Sequence, residues 1–94
     1  MKFIITWSVE TAGYPSAISR FLETGAPAPA GVKLVGRWHS LEGSSKGFIL
    51  AEASDPKGIY LWMAQWADVV SFTVTPVVED AEAAQILQSV RGKK

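Results

Sequence analysis

Apolar and polar residues alternate with a period of two over residues 2–9, where Phe3, Ile5, Trp7 and Val9 interleave with Lys2, Ile4, Thr6 and Ser8. This pattern predicts a first strand whose odd face is wholly apolar. Ala17, Ile18, Phe21 and Leu22 then recur at helical spacing behind Pro15 and ahead of Gly25. Proline suits a first helical turn and glycine the left-handed position past a last one, so a helix is expected over 15–24. A connector of alternating proline and small residues, Ala26–Gly31, leads into Val32–His39 and Lys46–Ala53, which read as a long hairpin turned by Ser40–Ser45. Asp55-Pro56 is an N-cap followed by an N1 proline, and Ile59, Trp62, Met63 and Trp66 fall at i, i+3, i+4 and i+7, predicting a second helix over 56–67. Val70–Val78 alternates again and contains Pro76, which cannot donate to a ladder, so this strand belongs at a sheet edge. Asp80 is expected to cap a last helix carrying Ala83, Ile86, Leu87 and Val90 on one stripe.

The order β-α-β-β-α-β-α predicts an α+β, ferredoxin-like βαββαβ fold with an extra C-terminal helix and a four-stranded antiparallel sheet of order 4-1-3-2, helices on one face. If the hairpin pairs Arg37 with Phe48, one face holds Leu34, Gly36, Trp38, Gly47, Ile49 and Ala51. Its small residues leave room for helix side chains, which marks this as the covered face. Lys33, Val35, Arg37, His39, Lys46, Phe48, Leu50 and Glu52 then lie on the open face. Ile4, Val35, Phe48, Leu50 and Val77 would make that face too apolar for a monomer, and a two-fold dimer packing sheet on sheet is the economical solution, a dimeric α+β barrel.

At 94 residues and 48% hydrophobic content the chain fits one domain, residues 1–94. Nine basic and nine acidic residues cancel, so no field attracts nucleic acid or an anionic membrane. The basic run Arg91–Lys94 reads as a solvated end. Cysteine is absent, which removes disulfides and thiolate metal sites and suits a cytoplasmic location. Neither a membrane-spanning apolar run nor a signal-type h-region is present in the sequence, so a soluble, unprocessed chain is expected.

His39, the single histidine, is the candidate catalytic group, able to shuttle a proton or to ligate haem, and otherwise reads as a strand-end histidine bonding to neighbouring backbone or a carboxylate. Arg37, two residues earlier on the same strand face, can clamp a carboxylate or enolate, or equally bridge a dimer to Glu52. Thr6, Thr73 and Phe48 join Arg37, His39 and Glu52 as candidate ligand-binding residues on that face. A metal site is not expected, because one histidine without cysteine leaves scattered carboxylates. No cofactor is expected either. Lys46-Gly47-Phe48 opens like an RNA-recognition motif, but Leu50 and Ala53 stand where stacking aromatics would be needed. Glu42–Gly47 lacks the strand–loop–helix setting of a phosphate loop or a nucleophile elbow.

Phe3-Ile-Ile-Thr-Trp7, Phe21-Leu-Glu-Thr-Gly25, Gly31-Val-Lys-Leu-Val-Gly-Arg-Trp-His39, Glu52-Ala-Ser-Asp-Pro56, Trp66-Ala-Asp68 and Val74-Thr-Pro-Val77 together resemble an uncharacterised family of short bacterial proteins grouped with the dimeric α+β barrels. The resemblance runs from Lys2 to Leu87 and implies the ferredoxin-like dimer, but no established activity. Distant barrels of that group include cofactor-free monooxygenases and haem-binding proteins, and several of the monooxygenases use an asparagine that this chain lacks. The expected function is therefore a homodimer binding a small, partly apolar, anionic molecule in a sheet-lined cavity. A cofactor-independent oxygenase or isomerase with His39 as base is one alternative, and a structural or regulatory dimer without ligand is another.

Overall fold

The computed structural model describes residues 1–92; Lys93 and Lys94 of the terminal basic run lie outside the described residues. Strand β1 (Lys2–Ser8) leads through a short 3-10 turn at Thr11–Gly13 into helix α1 (Tyr14–Thr24). Strands β2 (Val32–His39) and β3 (Lys46–Ala53) form the hairpin, and α2 (Pro56–Ala64), β4 (Ser71–Val77) and α3 (Asp80–Arg91) follow. The sheet is antiparallel in the order β2-β3-β1-β4, which is the expected order read from the other edge. The fold is ferredoxin-like α+β, and β4 with its proline occupies an edge.

The local signals act as their chemistry requires. Asp55 accepts a hydrogen bond from the Lys57 amide at 2.9 Å and so caps α2. Gly25 ends α1 in the left-handed region at φ 73°, its amide donating to the Phe21 carbonyl. Beyond one-residue differences at the ends of β1, α1 and β4, two helix ends depart from expectation. Helix α2 stops at Ala64, because from Trp66 onward the chain tightens into i→i−3 turns, Trp66 N to Met63 O and Val69 N to Trp66 O. Glu79, not Asp80, is the N-cap of α3, and its carboxylate accepts from Lys2 Nζ at 2.7 Å instead of capping the helix.

The core lies between one sheet face and α1–α2. Phe3, Ile5, Ile49, Ala51 and Ala53 from the sheet meet Ile59 and Trp62 of α2, and all seven are at most 5% exposed. Residues opposite one another in the ladders share a face, so Phe3, Ala51 and Leu34 belong to the covered side and Lys2, Glu52 and Lys33 to the open side.

A register shift separates the structure from the sequence reading. Leu34 pairs with Ala51, but Gly36 pairs with Leu50, leaving Val35 as an extra residue in β2. This bulge advances everything after it by one position, and in a strand one position exchanges faces. Arg37 therefore lies opposite Ile49, not Phe48, and His39 lies opposite Gly47, so both point to the helix-covered side. Trp38 moves the other way. It stands opposite Phe48 on the open face, half exposed, with the two rings stacked at 5.0 Å.

Two glycines accommodate the exchange. A Cβ on Gly36 would collide with the Trp38 indole, which folds back over it on the open face. A Cβ on Gly47 would collide with the Trp7 indole and the Trp38 carbonyl, so the small residue expected to make room for a helix instead makes room for a tryptophan of β1.

Helix α3 stands apart. It buries none of its residues, and Ile86, Leu87 and Val90 of its apolar stripe are 54%, 62% and 65% exposed. The molecule measures 55 × 28 × 19 Å with a radius of gyration of 16.1 Å, against about 12 Å for a compact domain of this length.

Candidate functional site

On the covered side the sheet and helices do not close completely, and a cavity of about 90 Å³ remains near the hairpin end of the sheet. Trp7, Ile49 and Phe72 form its sheet wall; Ala17, Ile18 and Phe21 of α1 and Trp62, Met63 and Trp66 from α2 and its following turn form the rest. The side chains that bring charge or a titratable group to this apolar lining are Arg37 and His39.

Arg37 reaches the C-terminal end of α1. Its Nη1 donates to Gly25 O at 3.1 Å and its Nη2 to Ala26 O at 2.7 Å. These carbonyls lie at the negative end of the helix dipole, a favourable place for a cation. They also hold an unusual stretch of backbone, since Ala26 has a φ of 46° directly after left-handed Gly25. Among the described residues no carboxylate pairs with Arg37; the ion pairs are Lys2–Glu52, Lys2–Glu79 and Arg20–Asp68. Burial pushes the guanidinium pKa down from its ordinary value, the sign of a cation partly removed from water. The guanidinium remains charged at neutral pH and keeps donors beyond the two in use.

Phe21 joins the two anchors. Arg37 lies over its ring at 5.5 Å, a cation–π distance, and the His39 imidazole packs against it at 5.3 Å. His39 also meets Trp7 edge-on at 5.2 Å. As i and i+2 residues of one strand, Arg37 and His39 stand about 6.6 Å apart along β2, a separation that lets one small ligand touch both.

The surroundings fix these groups. Trp7 Nε1 donates to Ser44 O at 3.2 Å and the Tyr14 hydroxyl to Gly43 O at 2.6 Å, so the hairpin loop is tied down beside the cavity mouth. On the opposite side Arg20 makes a two-pronged pair with Asp68, 3.0 Å and 2.6 Å, donates to Gln65 O and lies over Trp66 at 5.1 Å. That clamp links α1 to the turn after α2, and the hydrogen bond from Arg20 holds the Asp68 carboxyl below its ordinary pKa.

Of the residues read from the sequence as candidates, the structure brings Arg37 and His39 together in the cavity. Thr6, Phe48, Glu52 and Thr73 lie on the other side of the sheet, where Thr6 is flanked by Phe48 and Thr73, and Glu52 approaches Lys2 at 3.5 Å. The common face assumed for all six does not exist, because the bulge at Val35 separates them. Phe21, Trp7 and the Arg20–Asp68 clamp were not singled out. Phe21 and Trp7 looked like ordinary core positions, and nothing in the spacing of Arg20 and Asp68 signals their contact. Among the described residues no group of three or more histidine, aspartate or glutamate side chains is placed to hold a metal ion, and no helix is long and apolar enough to cross a membrane.

Fold and cavity together define a ferredoxin-like α+β domain with a pocket between sheet and helices. The chain belongs to the family described as domain of unknown function DUF3303, which matches residues 1–91. No curated protein matches it significantly in sequence. Among solved structures it is similar to a protein from Nitrosomonas europaea described as an antibiotic biosynthesis monooxygenase, at 13% identity and a TM-score of 0.47 over 84% of this chain and 100% of that one. It is also similar to a MhuD mutant carrying two manganese protoporphyrin IX molecules per active site, at 17% identity and a TM-score of 0.41 over 84% of this chain and 95% of that one.

Proposed function

We propose that the protein binds a small, partly apolar molecule bearing a carboxylate or enolate in the cavity between sheet and helices, with Arg37 and His39 as polar anchors. The observation that supports this reading is the placement of Arg37, a partly desolvated cation on an apolar cavity wall with backbone carbonyls and, among the described residues, no carboxylate beside it. An anion there gains a charge-assisted hydrogen bond, and its apolar body is received by rings and aliphatic groups. A volume of about 90 Å³ suits a single small ring or a short chain, well below the roughly 300–1,000 Å³ of drug-sized pockets.

The protein acts as a homodimer in this reading, packed through the open sheet face. Ile4, Val35, Trp38 and Phe48 are each at least 40% exposed there, more apolar surface on one face than a monomer ordinarily leaves in water. Thr6, Thr73 and Glu52 belong to that interface and not to the cavity.

A second reading is favoured by His39 lying against Phe21 on the cavity rim. In a cofactor-independent isomerase or oxygenase, Arg37 would hold the enolate oxygen while His39 takes the proton from carbon, returning it in an isomerisation or leaving the carbanion to react with molecular oxygen.

Thermal-shift titration with matched pairs, benzoate against benzamide and hexanoate against hexanamide, tests the binding reading. Saturation at about 100 times the dissociation constant adds roughly 2.7 kcal/mol. The carboxylates should stabilise the wild type more than the amides, and the Arg37→Met variant should lose that preference. Equal shifts within every pair would overturn the anionic assignment.

A further inference from the structure

Two tryptophans of the cavity lining differ in one respect. Trp7 donates its indole N–H to Ser44 O at 3.2 Å, whereas the N–H of Trp62 has no hydrogen-bond partner among the described residues. Trp62 is nevertheless the largest fully buried side chain, 2% exposed. A buried indole ordinarily finds an acceptor, because a donor left dry keeps the cost of its lost hydration. Among the described residues no fully buried side-chain nitrogen or oxygen lacks a partner, so the Trp62 nitrogen retains contact with open space. Its core neighbours Phe3, Ile5, Ile49 and Ile59 carry hydrocarbon side chains, and the opening that Trp62 borders is the cavity.

We infer that the Trp62 N–H is a second anchor in the cavity, donating to an oxygen of the same molecule whose carboxylate Arg37 holds, so that the ligand is a small oxo acid. This names the ligand class of the cavity reading proposed above and rests on that reading. Indole and guanidinium are donors only, and together they ask for a molecule with two acceptors. Arg37 belongs to β2 and Trp62 to α2, and in a space of about 90 Å³ a molecule held at one wall reaches the other. A ketone or aldehyde oxygen suits the second position better than a hydroxyl, whose own proton would face hydrocarbon.

The test uses the full chain labelled with ¹⁵N. Levulinate and phenylglyoxylate, which set the oxo group at different distances from the carboxylate, are each titrated beside a methylene analogue in which C=CH₂ replaces C=O and the shape is kept. At least one oxo acid should bind about fivefold more tightly than its analogue, the worth of one hydrogen bond from a neutral donor. The same oxo acid should move the Trp62 Nε1–H resonance downfield, and its analogue should not. In Trp62→Phe the preference for oxo over methylene should vanish while the preference for carboxylate over amide stays with Arg37. Where that variant fails to fold, the wild-type resonance decides. If neither oxo acid outbinds its analogue, or the Trp62 resonance does not respond at saturation, the N–H serves water alone; the oxo-acid class is then overturned and the cavity reading stands. If no carboxylate binds beside Arg37, both fall.

Discussion

Arg37 lies opposite Ile49 across the β2–β3 ladder, and this pairing sets its guanidinium on the rim of a cavity instead of on the open face of the sheet. The ladder takes up one extra residue, Val35, between Leu34 and Gly36. Deleting Val35 would remove the bulge and leave Leu34 opposite Ala51, Gly36 opposite Leu50 and Arg37 opposite Ile49, so Arg37 and His39 stay on the covered side and Trp38 on the open one. The loss expected is no more than about 1–2 kcal/mol, measured by denaturant unfolding, because no side chain changes sides. A deletion variant that loses more than about 3 kcal/mol would show that the bulge does more than absorb one extra residue.

Replacing Arg37 removes the two hydrogen bonds that steady Gly25 and Ala26. Arg37→Met should cost about 1.5–3 kcal/mol, one to two bonds at the low end for a charged donor, because the guanidinium is partly solvated. Arg37→Lys should recover little of it, since an ammonium cannot reach both carbonyls with a planar fork. Chemical denaturation of the three proteins checks the ordering.

Gly47→Ala puts a methyl group into the Trp7 ring and the Trp38 carbonyl, and the backbone half of that collision cannot rotate away. A loss of about 2–3 kcal/mol is expected, with a change in near-ultraviolet circular dichroism as Trp7 leaves Ser44. Gly25→Ala meets no neighbour and carries only the strain of its left-handed φ, so about 1 kcal/mol is expected there.

Asp68 and Glu79 are each held below their ordinary values of 3.8 and 4.5, Asp68 by the hydrogen bond from Arg20 and Glu79 by that from Lys2. An acid whose folded pKa is depressed adds stability above its unfolded pKa and loses it as pH falls through the folded value. The melting temperature should therefore stay level from pH 7 to about 5 with respect to these groups and decline below about 4. Asp68→Asn should flatten the part of that decline due to the Arg20 clamp; an unchanged acid profile would remove the clamp from the account.

The order of elements was legible because each carries its own period. Phe3, Ile5 and Trp7 alternate, Ile59, Trp62 and Met63 recur at helical spacing, and Asp55 and Pro56 mark a helix start. That Arg37 and His39 share a face was legible too, as i and i+2 residues of a strand. Which face they share was not. Val32, Leu34, Gly36 and Trp38 alternate without interruption on paper, and glycine within a strand, a common mark of a bulge, was the one hint that the ladder slips there. The stripe on α3 was equally plain, but a pattern of apolar positions says that a helix needs a surface, not whose surface it is. The Arg20–Asp68 pair joins positions with no local relation, and tertiary structure alone brings them together.

The central claim is that the binding site is the sheet–helix cavity beside Arg37, and the most direct measurement of it is a titration of ¹⁵N,¹³C-labelled protein with benzoate, followed by NMR. The account predicts saturable shifts concentrated on Phe21, Ile49, Met63 and the Arg37 and His39 side chains, absent in Arg37→Met. Shifts concentrated instead on Thr6, Phe48 and Thr73, or the same cavity shifts in Arg37→Met, would contradict it.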